Sequence, residues 1–172
     1  MLYMATAGAV ISDDGVYRYS LERTWEGTDF LFLFIMLNPS TADAQQSDPT
    51  LEKCIKYAKK EGASGVLIVN LFGYRTPSPS VLKAEFLNGT NVVGKENDFY
   101  VKSLLLRASR VVCAWGNLPH PRMQYREQEI INLITKSGIS AFCLKKNLNG
   151  TPGHPLYLRG DLTFQSFLDN GK

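Results

Sequence analysis

An unbroken apolar run at residues 30–37 (FLFLFIML) ends abruptly at Asn38-Pro39-Ser40-Thr41, and no other feature narrows the fold as much. A run this short and uniform suits a β-strand buried on both faces, which demands helices above and below its sheet. Runs of the same kind recur at residues 66–72, 110–115 and 140–144. Between them lie segments of helical type. Asp48-Pro49 has the form of an N-cap with proline at the first helical position, opening a helix through Lys60 that Gly62 stops. Residues 95–108 and 122–137 read as two more helices, with the Pro-rich stretch Thr76-Pro77-Ser78-Pro79 read as a loop. Near the N-terminus, the turn signal Asp13-Asp14-Gly15 precedes the partly alternating residues 16–25 (VYRYSLERTW), which predicts a hairpin at a sheet edge. The alternation predicts a three-layer α/β/α sandwich with a mainly parallel four-stranded central sheet plus the N-terminal hairpin. With 172 residues and no linker or internal repeat, the chain is expected to form a single domain over 1–172.

Composition excludes several classes. At 44% hydrophobic and 20% charged residues the chain is neither disordered nor fibrous. The longest apolar run is too short to span a bilayer and the N-terminus lacks a signal-peptide pattern, so a cytoplasmic protein with no membrane partner is expected. Cys54, Cys113 and Cys143 stand singly, and only His120 and His154 could add imidazole ligands, so neither a metal nor a cofactor is expected. The net charge is −2 over residues 1–86 and +5 over 87–172. A basic half helps to dock a polyanion, and a solvated surface explains it as well. Residues 89–96 (GTNVVGKE) miss a phosphate loop by placing Glu96 where a hydroxyl must bind magnesium. Ser40 lacks the G-x-S-x-G elbow of an activated nucleophile and is read as a phosphate or backbone contact.

In parallel sheets the ligand site lies beyond the carboxyl ends of the strands. That rule selects Asn38, Ser40 and Thr41 after the first core strand, Asn70, Tyr74 and Arg75 at the second, Gly116 and Asn117 at the third, and Lys145 and Lys146 at the fourth. His154, between Gly153 and Pro155, cannot sit within a helix, and it either hydrogen-bonds its loop or serves a cleft. Asn70 either reads the edge of a base or ties loops together. Trp115 and Tyr74 either stack on a base or belong to the core.

In chain order these segments resemble the uracil-DNA glycosylase superfamily. Leu37-Asn38-Pro39-Ser40 is similar to its first motif, and residues 66–71 (VLIVNL) to its strand ending in a base-reading asparagine. Residues 111–116 (VVCAWG) are similar to its Trp-Gly strand end, and His154-Pro155-Leu156 to its loop whose leucine enters DNA. Through MLNPSTAD, DPTLEKC, VNLFGYRT, KEND, CAWG and HPLYL, the chain resembles more closely still the bacterial and phage family called domain of unknown function 1643.

The glycosylase resemblance implies a uracil-DNA glycosylase-like fold and release of a modified or deaminated base by hydrolysis of its N-glycosidic bond. Such cleavage builds positive charge on the sugar and negative charge on the base, so it needs an oriented water and a donor at the base. Asn38 would hold the water and His154 would be the donor. Asn38 stands where some glycosylases carry an aspartate, and Asp43 or Asp48 would supply the missing carboxylate. Asn70, Tyr74, Arg75, Ser40, Thr41, Trp115, Asn117 and Leu156 would bind substrate, with Lys145, Lys146 and Arg159 on a nucleic-acid backbone. The implied partner is nucleic acid, DNA ahead of RNA, or a nucleoside or nucleotide. The alternatives are a catalytically silent binding module for the same ligands and a phage or host-defence interaction protein.

Overall fold

The computed structural model describes residues 5–27 and 29–170; Met1 to Met4, where the N-terminal reading begins, lie outside them. One seven-stranded sheet runs through the molecule in the order β1-β2-β4-β3-β5-β6-β7. Its strands are β1 (Thr6–Ile11), β2 (Arg18–Thr24), β3 (Leu31–Met36), β4 (Gly65–Asn70), β5 (Arg110–Cys113), β6 (Ala141–Cys143) and β7 (Gln165–Leu168). The pairings β4–β3, β3–β5 and β5–β6 are parallel. Those of β1–β2, β2–β4 and β6–β7 are antiparallel. The protein is therefore α/β with a mixed sheet, which corrects the expected four-stranded, mainly parallel one. The predicted hairpin adds two strands through hydrogen bonds to β4, and β7 pairs on the other margin, in a stretch without an apolar run.

Among the described residues four α-helices cover the sheet: α1 (Pro49–Lys60), α2 (Pro79–Leu87), α3 (Asn97–Arg107) and α4 (Gln124–Lys136). Strand alternation sorts the core into two clusters. Leu33, Ile35, Leu67 and Val69 face α2, α3 and α4 through Leu82, Val101, Leu105, Ile130 and Ile134. Phe32, Phe34, Val66 and Ile68 face α1 through Leu51, Cys54, Tyr57 and Ala58. Every residue of β3 and β4 is buried, as the apolar runs required. Each fully buried large side chain contributes roughly 1.5–3 kcal/mol relative to exposure, so this double-faced core dominates stability.

The helix starts follow local chemistry. Asp48 Oδ1 accepts from the Leu51 amide at 2.8 Å and Pro49 takes the first turn, while Gly62 leaves the helix end at φ 77°. Ser78-Pro79 repeats the same device and starts α2, a helix that the Pro-rich loop reading missed. The hairpin contains one irregularity that matters later. Val10 pairs with Ser20 and Ile11 with Arg18, so Tyr19 is an unpaired surplus residue, a β-bulge. Tyr19 stacks on Tyr100 of α3, with centroids 5.8 Å apart, whereas Arg18 turns to the α1 side.

Candidate functional site

The chain passes from β3 to β4 on one side, then recrosses to β5 on the other. Their carboxyl ends diverge at this reversal of strand order, which is where open α/β sheets leave a crevice. A cavity of about 560 Å³ lies there. Its walls come from the segment after β3 (Leu37, Asn38, Ser40), the start of α1 (Asp48, Thr50, Leu51), the turn after β5 (Trp115, Gly116, Asn117) and the 153–158 loop. Leu21, Met36 and Ile68 form an apolar floor, and Arg18 joins them.

Asn38 is oriented by three carbonyls: its Nδ2 donates toward Thr76 O at 2.9 Å, Pro39 O at 3.1 Å and Tyr74 O at 3.2 Å. This arrangement places the amide nitrogen against the backbone and leaves Oδ1 as the free acceptor. Asp48 holds the amides of Leu51 and Ala42 with its two oxygens, at 2.8 and 3.2 Å. Each carboxylate oxygen keeps a further lone pair, and the positive end of α1 favours the charge.

His154 is carried on a loop clamped to α1. Lys53 Nζ donates to the carbonyls of Leu156 and Leu158 at 2.9 and 2.8 Å, and the Tyr57 hydroxyl donates to Arg159 O. The imidazole Nδ1 accepts from the Leu156 amide at 3.2 Å, which puts the proton of the neutral ring on Nε2. Burial pushes the imidazole down to about 4, outweighing the nearby Asp48 carboxylate, so the ring is neutral at pH 7. Gly116, at φ 71°, fits close beneath it: a Cβ there would come within 3.0 Å of the His154 Cβ. Trp115 is almost wholly buried, and its indole N–H donates to Glu127 at 2.8 Å.

Of the residues selected from the sequence, Asn38, Ser40, Asp48, Trp115, Asn117, His154 and Leu156 line the cavity. Asn117 Oδ1 is committed to Thr151 and Asn149 at 2.9 and 3.0 Å. Asp43, Asn70, Thr41, Tyr74, Arg75, Lys145, Lys146 and Arg159 are not part of the lining. Asp43 instead caps its own turn, with Oδ1 accepting from the Gln45 and Gln46 amides at 2.8 Å. Thr41 is exposed, Tyr74 packs edge-on to Tyr17, and the Arg75 amide bonds Val16 O. Lys145 and Lys146 are exposed beyond β6, and Arg159 pairs with Asp161 at 2.6 Å.

Asn70 does not join Asn38 and His154. It ends β4 on the face of Ile68, and its register partner Met36 lines the cavity where Asn70 does not. Its carbonyl is held by Asn97 Nδ2 at 3.0 Å, yet both side-chain amide atoms are buried without a partner among the described residues.

Sequence reading missed Arg18. It is 3% exposed, and Nη1 donates to Ala42 O at 2.8 Å. Nε is buried with no partner among the described residues, and no ion pair to Arg18 lies among them. Burial lowers the guanidinium to about 10, still charged at pH 7. The only signal in the sequence was a cation between two tyrosines (Tyr17-Arg18-Tyr19), and period-two alternation would have put it on the face opposite Leu21. Among the described residues no cluster of His, Cys, Asp and Glu suits a metal ion, and no helix is long and apolar enough to cross a membrane.

Fold and site together define an α/β protein with a small-molecule-sized cavity at the strand-order reversal of a mixed sheet. The chain belongs to the family described as Protein of unknown function (DUF1643), whose model matches residues 18–156. No match was found among curated proteins or solved structures.

Proposed function

We propose that the protein hydrolyses the N-glycosidic bond of a nucleobase-bearing substrate. The observation that carries this reading is the meeting, around one cavity, of a free acceptor (Asn38 Oδ1), a carboxylate (Asp48) and a neutral imidazole fixed with its proton on Nε2 (His154). The parallel strand order β4-β3-β5-β6 supports this reading by putting the cavity at the strand-order reversal, where open α/β sheets hold ligands.

In this reading Asn38 Oδ1 accepts a hydrogen bond from a water and aims its oxygen at C1′. The C1′–N bond breaks as electrons move to the base, and the Nε2–H of His154 donates a hydrogen bond to the charge that develops there. The water oxygen bonds to C1′ as one water proton passes to Asp48, which then releases it to solvent, and the departing base nitrogen takes up a proton from solvent. The products are the free base and the 1-hydroxy sugar. A neutral histidine suits this task because it stabilises developing charge without requiring a proton transfer from an imidazolium.

Base release from nucleosides, nucleotides and DNA carrying uracil, hypoxanthine or xanthine, followed by chromatography, tests the reading. His154→Ala is expected to lower kcat on the order of 100-fold or more while leaving binding nearly intact. Absence of free base from the whole panel would favour the silent binding module instead.

A further inference from the structure

The guanidinium of Arg18 is the one charged group on the cavity floor for which the fold offers no counter-charge in contact. Its Nη1 is occupied by Ala42 O, and Nε has no partner. Nη2 has no hydrogen bond to any described residue, and Nε is buried, so Nη2 is the donor left to a ligand in the cavity. An N–H of a guanidinium that keeps its charge at pH 7 is a strong, charge-assisted donor to an oxyanion. A buried cation without a partner is costly, and the β-bulge at Tyr19 turns this one toward the cavity. Such a placement makes chemical sense for a group that receives an anion.

We infer that Arg18 anchors the phosphate of a free nucleoside monophosphate, which makes the substrate a single nucleotide and not a base extruded from a nucleic-acid chain. The inference rests on the N-glycosidase reading, because among nucleobase N-glycosides the oxyanion available to a guanidinium is a phosphate. Three further observations favour a mononucleotide over a polymer. The cavity, about 560 Å³, is in the range that encloses one small ligand. Its lining includes the apolar Pro77, Leu118, Pro119, Leu156 and Tyr157, and Arg18 is the one Lys or Arg in it among the described residues. None of the expected backbone cations lines the cavity: Lys145 is exposed, Lys146 rests over Phe167 and Arg159 is paired with Asp161. Asp48 shares the cavity, but its charge is held by two backbone amides and the α1 N-terminus, so the Arg18 side remains the attractive end.

Isothermal titration of the full chain with the common nucleoside 5′-monophosphates, each beside its nucleoside, tests the inference. At least one monophosphate should bind tenfold or more tightly than its nucleoside, and millimolar inorganic phosphate should compete with it. Arg18→Gln should bind that nucleoside as wild type does and lose the advantage of the phosphate, and Arg18→Lys, which keeps the charge without the planar guanidinium, should regain only part of it. Equal binding of nucleotide and nucleoside by the wild type overturns the proposal, as does an advantage that survives Arg18→Gln in a variant shown to be folded by circular dichroism. If Arg18→Gln does not fold, the wild-type comparison and the phosphate competition decide alone. An oligonucleotide that binds more tightly than every monophosphate also overturns it. Running base release on the same panel separates the two readings. Phosphate-dependent binding without base release retains the Arg18 anchor and fails the hydrolase, whereas base release that ignores both the phosphate and Arg18→Gln does the reverse.

Discussion

Acid should weaken this protein through one residue. His154 takes up its proton near pH 4 in the folded state, against an ordinary value of 6.5, because its ring is buried beside the cavity. The unfolded chain therefore binds more protons than the native one between these two values, and native stability falls as pH drops through that window. From the two pKa values, His154 alone removes about 2 kcal/mol between pH 8 and pH 5 and about 3 kcal/mol by pH 4. The carboxylates Asp14, Asp43 and Asp161, each lowered by hydrogen bonds, contribute only at more acid pH. Urea unfolding at pH 8, 6, 5 and 4.5 measures the effect in wild type and in His154→Asn, whose side-chain oxygen can still accept from the Leu156 amide but does not titrate. His120 is present in both proteins and cancels in the difference. The wild type should lose about 2 kcal/mol more than the variant by pH 5. With two histidines in the sequence, an NMR titration assigns them directly. A His154 resonance titrating near 6.5, or parallel stability curves for the two proteins, would refute the reasoning.

Two substitutions probe the rest of the cavity wall. Asn38→Asp faces an anionic oxygen toward the carbonyls of Pro39, Tyr74 and Thr76, so it should cost on the order of 3 kcal/mol at pH 7 and less at pH 3; equal stability to wild type in a urea melt at pH 7 would show that the amide is not held as described. Gly116→Ala meets both a positive φ and the His154 Cβ, so it should lose roughly 1–2 kcal/mol and shift the His154 titration. An unaltered melting temperature together with an unaltered titration would contradict that fit.

The sequence exposed those parts of the fold that obey a local rule. Residues 30–37 could be read because burial on both faces leaves no polar position, and α1 because Asp48, Pro49 and Gly62 each do one thing at one end of the helix. The start of α2 carries the same Ser-Pro signal, but only Leu82 of that helix is buried, so no apolar stripe backed the cap. Strand β7 is four residues long at a sheet margin and owes its existence to β6, a tertiary cause that periodicity cannot express. The site divides in the same way. Asn38, Asp48 and His154 sit where a chain break in the pattern marks a strand end, a cap or a Pro-bounded loop. Asp43 looked equivalent to Asp48 as a carboxylate near the first strand end, yet only the helix cap brings one of them to the cavity. Lys145 and Lys146 follow a strand end too, but only the backbone of Lys145 meets the cavity-wall loop, where its carbonyl accepts from the Gly153 amide, while both side chains are exposed and Lys146 lies over Phe167. Arg18 stayed hidden because its direction depends on a pairing irregularity between two strands.

That irregularity gives the hairpin a parity. Arg18 and Leu21 are an odd number of positions apart, so a fully paired strand would show them to opposite faces, and the single unpaired residue between them brings both to the cavity. The electric character of the floor is thus stored as a count of unpaired residues as much as in the identity of residue 18. A relative with one residue fewer in this stretch keeps its cation at the floor only with a flat strand, and one of equal length keeps it only with the bulge. Chain length and pairing must accordingly be compared together when this cation is sought in other members of the family.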